Sequence, residues 1–470
     1  MVSCPSRGEV DRDASLGSAR VVAATRRRTR EDRKRRDASR PTWRGSLRAL
    51  GPGLVTGASD DDPSGIATYA QAGASFGFGL LWAALFTLPL AASVQEICDR
   101  TALATGKTLG QLARERFTRT WSILAGGLIA LLIVANTLNI AADLVAVGSG
   151  MQLLHAGPAF IWALVAGVAT SALLFSGSFK VVARVFKLLC LALFSYLAML
   201  VAVQVRWTSV LYHAVVPQLS FDKSYLALLV AVLGTTISPY LFFWQSIHRV
   251  EEMREERAGG NRPKPLWKRS GAKARRKQLT SRVDVFGGFL FSNLVMFAII
   301  VATAATLGGH GKHNIQSAAE AATALRPIAG QFAQTLFALG FIGSGMLAVP
   351  VLAGAGSAAM AGLLGRPVGF SRSPRSARVF YALVLVGTLG GTALSLVGVN
   401  PIKLLVVVAV INGVAAAPFL ALVMRIADDK SVMRNAVNGP LARMIGWGTT
   451  GVMLLAAVVL FSAGGGGGLY

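Results

Sequence analysis

Long apolar runs, separated by short segments rich in Lys and Arg, set the pattern of this chain. Runs that cross a bilayer, or nearly so, fall at about 50–77, 79–97, 121–147, 159–177, 181–204, 225–247, 284–307, 332–355, 380–398, 403–424 and 446–463, since about 20 apolar residues in a helix span the hydrocarbon core. They predict an all-α polytopic membrane protein with eleven transmembrane helices. Two runs are broken by polar residues at corresponding places. The first holds Asp60-Asp61-Asp62-Pro63-Ser64-Gly65 and the sixth holds Gly234-Thr235-Thr236-Ile237-Ser238-Pro239-Tyr240. Pro removes a backbone donor and Gly loosens a helix, so both segments are expected to unwind and to free carbonyl oxygens inside the membrane. Broken helices five spans apart are the sequence signature of an inverted-repeat transporter with its site between the repeats.

The loops orient these spans. Placing 98–120, 178–184, 248–283, 364–379 and 425–445 in the cytoplasm puts every strongly basic loop on one side, as the positive-inside rule asks. The expected organisation is a disordered basic cytoplasmic tail at 1–48, a transporter core at 49–424 and a C-terminal part at 425–470. The core divides into repeat one (49–204) and repeat two (225–424). The last part is a cytoplasmic loop and a final helix, leaving the C-terminus outside the cell (inner) membrane.

Composition agrees with the pattern and removes other classes. Hydrophobic residues make up 53% and charged residues 15%, too few charges to cover a soluble domain of this size. The net charge of +25 is clustered, with fourteen Lys or Arg in 1–48 and twelve in 249–282. Basic clusters beside membrane spans set orientation and meet anionic lipid headgroups, so no nucleic-acid partner is expected. The three cysteines, Cys4, Cys98 and Cys190, form no disulfide or zinc framework. The five histidines are scattered. No enzymatic chemistry and no cofactor are implied.

An ionised carboxylate inside a membrane is costly and normally marks an ion path. Asp62, directly before the first break, is the expected cation ligand, while Asp60 and Asp61 are expected to reach a water-filled vestibule as surface charges. No Lys or Arg falls in the sixth run to pair with them. The remaining ligands are expected to be oxygens: carbonyls freed near Gly65 and Thr235, and hydroxyls of Ser64, Thr235 or Ser238. The amides of Asn136, Asn139 or Asn412 are further candidates, each with an interhelical hydrogen bond as its alternative. Neither break carries Met or Cys. An all-oxygen shell suits hard cations such as Mg²⁺, Ca²⁺ or Mn²⁺.

The same residues carry a resemblance. Gly51-Pro52-Gly53 followed by Asp62-Pro63-Ser64-Gly65-Ile66-Ala67-Thr68 resembles the first-helix signature of the NRAMP family of divalent-metal transporters. Thr105-Gly106-Lys107-Thr108-Leu109 and Ala142-Asp143-Leu144 resemble that family's second-to-third-helix loop and third helix, and the likeness runs over about 45–445. It implies a LeuT-like 5+5 inverted repeat with one added helix. The departures are specific. The family's metal-binding Asn falls at Gly65, and its helix-six Met-Pro-His reads Ser238-Pro239-Tyr240. Uncharged residues replace the third-helix acids near Asn136 and Ala146, Asp143 is kept, and no basic residue lies between Val384 and Val397. This combination resembles the NRAMP-related magnesium transporters. It implies uptake of Mg²⁺, and of Mn²⁺, by alternating access without proton coupling. The alternatives are a proton-coupled Mn²⁺/Fe²⁺ importer of the mainstream type and a sodium-coupled transporter of organic solutes.

Overall fold

The computed structural model describes residues 52–176, 179–202, 204–256, 258–259, 262–307, 315, 320, 332–397 and 401–462. The expectations for the 1–48 tail and for the C-terminal glycines lie outside the described residues. Within the unit Gly51–Tyr470 the regular elements are helical. In chain order they are α1 (Pro52–Asp60), α2 (Pro63–Phe76), α3 (Trp82–Thr105), α4 (Leu109–Arg116), α5 (Arg119–Leu153), α6 (Ala159–Phe175), α7 (Phe179–Leu189) and α8 (Phe194–Ala202). There follow α9 (Trp207–Val215), α10 (Lys223–Thr236), α11 (Pro239–Glu255), α12 (Gly271–Thr306), α13 (Ala333–Leu363), α14 (Arg378–Ser395), α15 (Pro401–Ala427) and, after a short turn, α16 (Pro440–Ser462).

Each of the eleven apolar runs holds a helix, but fewer qualify as spans by length and composition. Eight do so among the described residues, and nine if the pair Pro63–Leu80 and Trp82–Thr105, bent by 105°, counts as one. The first run falls short because its break leaves two short halves, and α6 because it has only 17 residues. Several helices overrun their apolar sequence. The loop expected at 248–283 is mostly helix, since α11 continues to Glu255 and α12 already begins at Gly271. The charged extensions can be helical because they pair with one another, Lys277 Nζ lying 2.9 Å from Glu252 Oε2, and just beyond their ends Arg269 reaches Glu256 at 2.9 Å.

Exposed apolar ridges mark the lipid-facing surface. Phe160, Leu164 and Val168 follow one another at i+4 on α6, as Leu454 and Val458 do on α16. Such ridges would promote aggregation in water and are satisfied by acyl chains. The interior is held by close backbone approach. A Cβ on Gly53 would lie 2.5 Å from the Asp284 carbonyl carbon, and one on Gly57 would collide with the backbone of Gly288. The half-helix α1 therefore rests on α12 with no side chains between them, which is how small residues pack membrane helices.

Candidate functional site

Both breaks are built alike. Asp62 is extended (φ −65°, ψ 167°) and caps α2, with Oδ1 accepting from the Gly65 amide at 2.8 Å and from the Ser64 hydroxyl at 2.5 Å. Ser238 (φ −80°, ψ 134°) stands in the same place before α11. Pro63 and Pro239 each occupy the first position of the second half-helix, where a missing N–H costs nothing. Pro thus starts the second half and does not kink a continuous helix. It follows that Gly65 lies within α2, where its carbonyl belongs to the helical ladder and is not among those freed. The open carbonyls belong to the last turns of α1 and α10, the negative ends of two half-helices. Some are already engaged. Ser59 O accepts from the Tyr240 hydroxyl at 3.1 Å, and the Ser238 hydroxyl faces Gly234 O at 2.6 Å and Thr235 O at 2.8 Å.

The second oxygen of Asp62 faces the other helices. Oδ2 accepts from the Tyr240 hydroxyl of α11 at 3.2 Å and from the Asn139 amide of α5 at 3.4 Å. A Cβ on Gly65 would sit 3.0 Å from Thr235 Oγ1 and 3.2 Å from Asp60 O, so this glycine keeps open the gap between the two breaks. One turn beyond Asn139 on α5 is Asp143. A Cβ on Gly345 of α13 would lie 2.9 Å from the Asp143 carbonyl and 3.4 Å from Pro63 Cγ, which puts Asp143 beside the first break. Both carboxyl oxygens of Asp143, Asn139 Oδ1, Thr235 Oγ1 and both side-chain polar atoms of Asn412 are buried without a partner among the described residues. Orphaned polar atoms are expensive in a dry interior, and those of Asn139, Thr235 and Asp143, gathered about the first break, suit a place that takes up a cation or water.

The remaining predicted residues go elsewhere. Asn136 donates to Leu352 O of α13 at 2.9 Å, an interhelical bond. Asp60 and Asp61 do not stand in a vestibule: both are fully buried against α12, with the Ser292 hydroxyl 2.8 Å from Asp60 Oδ2 and 3.2 Å from Asp61 Oδ1. The end of α1 turns them toward α12 and away from water. No group of three His, Cys, Asp or Glu side chains among the described residues is arranged to hold a metal ion. A cation at Asp62 would therefore take its other ligands from neutral oxygens and water.

A second polar cluster was not foreseen from the sequence. Asp284 of α12 accepts from the Gly53 amide at 2.8 Å and the Leu54 amide at 3.2 Å, capping the start of α1. Arg249 of α11, two residues past the sixth apolar run and buried, holds Asp99 at 2.6 Å and Asp284 at 3.5 Å and also pairs with Glu252. Gln245 donates to Asp99 at 2.6 Å and contacts Thr56 of α1. The base lies just past the apolar run, so it read as a loop charge. The available signal was Asp284 at the very start of the seventh apolar run, an acid in need of a partner. The cluster fastens α1 to α12 and, through Gln245, to α11, but it leaves Asp62 uncompensated.

Comparisons with known proteins give the family and the fold. Residues 53–463 match the Nramp family, described as natural resistance-associated macrophage protein-like. A divalent metal cation transporter, MntH, of Caldanaerobacter subterraneus subsp. tengcongensis is 24% identical over 404 residues, which is 85% of this chain and 89% of that protein. The fold is similar to that of the Eremococcus coleocola manganese transporter (TM-score 0.70, 17% identity, 90% of this chain and 87% of that one). It is also similar to that of MhsT, solved in complex with L-phenylalanine (TM-score 0.53, 12% identity, 87% of this chain and 98% of that one). The likeness to both is a likeness of fold, the LeuT-like arrangement that the family resemblance implies. Matched over most of its length, the chain is a multi-pass membrane protein of the Nramp transporter family and not an enzyme.

Proposed function

We propose that this transporter moves a hard divalent cation across the membrane by alternating access, with Asp62 as its one charged ligand. The observation that carries this reading is the division of labour on that carboxylate. Oδ1 is occupied by the cap of α2, whereas Oδ2 faces Tyr240 and Asn139, which can yield it to a cation. Thr235 Oγ1, Asn139 Oδ1 and carbonyls of the α1 and α10 ends supply neutral oxygens. Ser64 and Gly65 shape the site, and Asp143 and Asn412 stand as outer partners of water on the ion. Ser238 keeps its hydroxyl on the α10 carbonyls and acts by holding them.

Two cargoes fit oxygen donors of this kind, Mn²⁺ and Mg²⁺. The relatives, a divalent metal cation transporter and a manganese transporter, favour Mn²⁺, and with it the proton-coupled importer. The chain's own residues favour Mg²⁺ as well: neither break offers sulfur, and Tyr240 and Gly65 replace the His and Asn of the resemblance. Without that His, movement uncoupled from protons is the simpler reading. A negative-inside potential would then suffice to drive entry, at about 2.3 kcal/mol per charge per 100 mV.

The proposal includes eleven crossings, repeats at 49–204 and 225–424, a cytoplasmic N-terminal tail at 1–48, a C-terminal part at 425–470 that ends outside, and basic loops against anionic headgroups. The test is uptake into proteoliposomes with dyes for Mg²⁺, Mn²⁺ and internal pH. Entry of both ions without acidification supports the uncoupled reading. Entry of Mn²⁺ alone, with acidification, makes the chain a proton-coupled manganese importer.

A further inference from the structure

A cavity of about 500 Å³ opens between α3, α12 and the start of α16, away from Asp62. Its lining divides into two zones. One is polar: Glu96 and Arg100 of α3, Gln278 and Arg282 of α12, and Asn435. The other is apolar: Phe286, Leu441 and Ile445. On α12 the i+4 ridge through Arg282 and Phe286 runs on as Leu290 and Leu294, all three hydrophobic side chains exposed, and Leu441 and Met444 stand exposed on α16. All three helices pass from charged to apolar sequence at this level, which places the cavity at one membrane–water boundary, on the side of the basic loops.

The polar zone carries a positive charge with free donors. Arg100 is fully used: its Nε lies 3.2 Å from Glu96, and its terminal nitrogens donate at 2.6 Å to Ala436 O and to Asn438 Oδ1. Arg282 is not. Its Nε donates to Glu96 Oε1 at 2.8 Å, its side chain is 52% exposed, and its two terminal nitrogens make no hydrogen bond among the described residues. The Gln278 amide, one turn away, is also without a described partner. Two Arg against one Glu leave the rim at +1, with a guanidinium fork suited to the two oxygens of a phosphodiester.

From this division we infer that the cavity seats one anionic phospholipid of the adjacent leaflet. Its phosphate lies on Arg282 and Gln278, and its acyl chains lie along Phe286, Leu290 and Leu294. The free charge and the exposed ridge meet end to end, which matches a lipid and not a soluble anion. Because α12 also carries the cap of α1 and Ser292, a lipid here would steady the helix on which the broken half-helix rests.

The test is independent of transport and of the cargo. The full chain, purified in mild detergent, is titrated with phosphatidylglycerol, phosphatidylcholine or inorganic phosphate, and bound lipid is counted by native mass spectrometry alongside the melting temperature. We expect one tightly held phosphatidylglycerol that raises the melting temperature, bound about ten-fold more weakly after Arg282→Ala, the fold-change of one charge-assisted contact. Arg282→Lys, which keeps the charge and loses the fork, should bind more weakly than the native chain and more tightly than Arg282→Ala, and Ala442→Trp, which fills the cavity without changing charge, should remove the binding. Arg375→Ala, an exposed base elsewhere, should change nothing. Equal protection by inorganic phosphate or by phosphatidylcholine would overturn the inference, as would equal losses in the Arg282 and Arg375 variants.

Discussion

Asp284→Asn is the substitution that best isolates how α1 is held. The carboxylate accepts from two backbone amides of α1, Gly53 at 2.8 Å and Leu54 at 3.2 Å, and faces Arg249 at 3.5 Å. An Asn keeps the shape and one acceptor, but loses one charge-assisted bond and the attraction to the base. Hydrogen bonds to charged groups contribute about 1.5–3 kcal/mol each, so the docked position of α1 should lose about 2–3 kcal/mol. That multiplies the population of detached α1 by about 30- to 140-fold. The rest of the fold should survive, because Arg249 still has Asp99 at 2.6 Å and Glu252. Hydrogen–deuterium exchange in nanodiscs reads the effect directly: amides of 54–60 should exchange faster by up to that factor, while those of α5 stay unchanged. Unchanged α1 exchange would show that Asp284 does not hold this half-helix, and loosening of every helix together would show that the cluster holds the whole bundle and not one half-helix.

Other outcomes follow from single contacts. Gly57→Ala forces a methyl into the Gly288 backbone and should destabilise the protein by about 1–3 kcal/mol, seen as a lower melting temperature in detergent. Gly65→Val places branched bulk 3.0 Å from Thr235 Oγ1 and should abolish cation uptake at near-native stability; retained uptake would mean that the gap between the breaks is not the route. Tyr240→Phe removes the bonds to Ser59 O and Asp62 Oδ2, so the apparent cation affinity should shift by about 2- to 12-fold, read from the concentration dependence of uptake. Ser292→Ala takes the shared donor from Asp60 and Asp61 and should lower the melting temperature, with Asp62-dependent cation binding preserved.

What the sequence made legible depended on range. Apolar length and a Pro after polar residues are local signals, so the helices and both breaks were readable before the structure, as was Asp62 as an acid inside an apolar run that carries no base. The contacts that decide its surroundings come from α5 and α11, 77 and 178 residues away. Spacing alone gives no sign of which of Asn136, Asn139 and Asn412 arrives there. Asp60 and Asp61 were misplaced for the same reason: their partner, Ser292, is more than 230 residues distant. The extent of α11 was underread because hydropathy ends where charges begin, while a helix can continue if those charges find opposite partners, as Arg249 does.

The central claim is that one carboxylate with neutral oxygens takes the cation. The measurement that tests it most directly is a titration of Mn²⁺ into the purified chain, followed by the electron paramagnetic resonance signal of free Mn²⁺, with Mg²⁺ as competitor. Native protein should remove one Mn²⁺ per chain, Mg²⁺ should return it to solution, and Asp62→Ala should leave the free signal intact while the protein stays folded. Undiminished binding by Asp62→Ala, or loss of binding only in Asp143→Ala, would place the cation elsewhere and contradict the account.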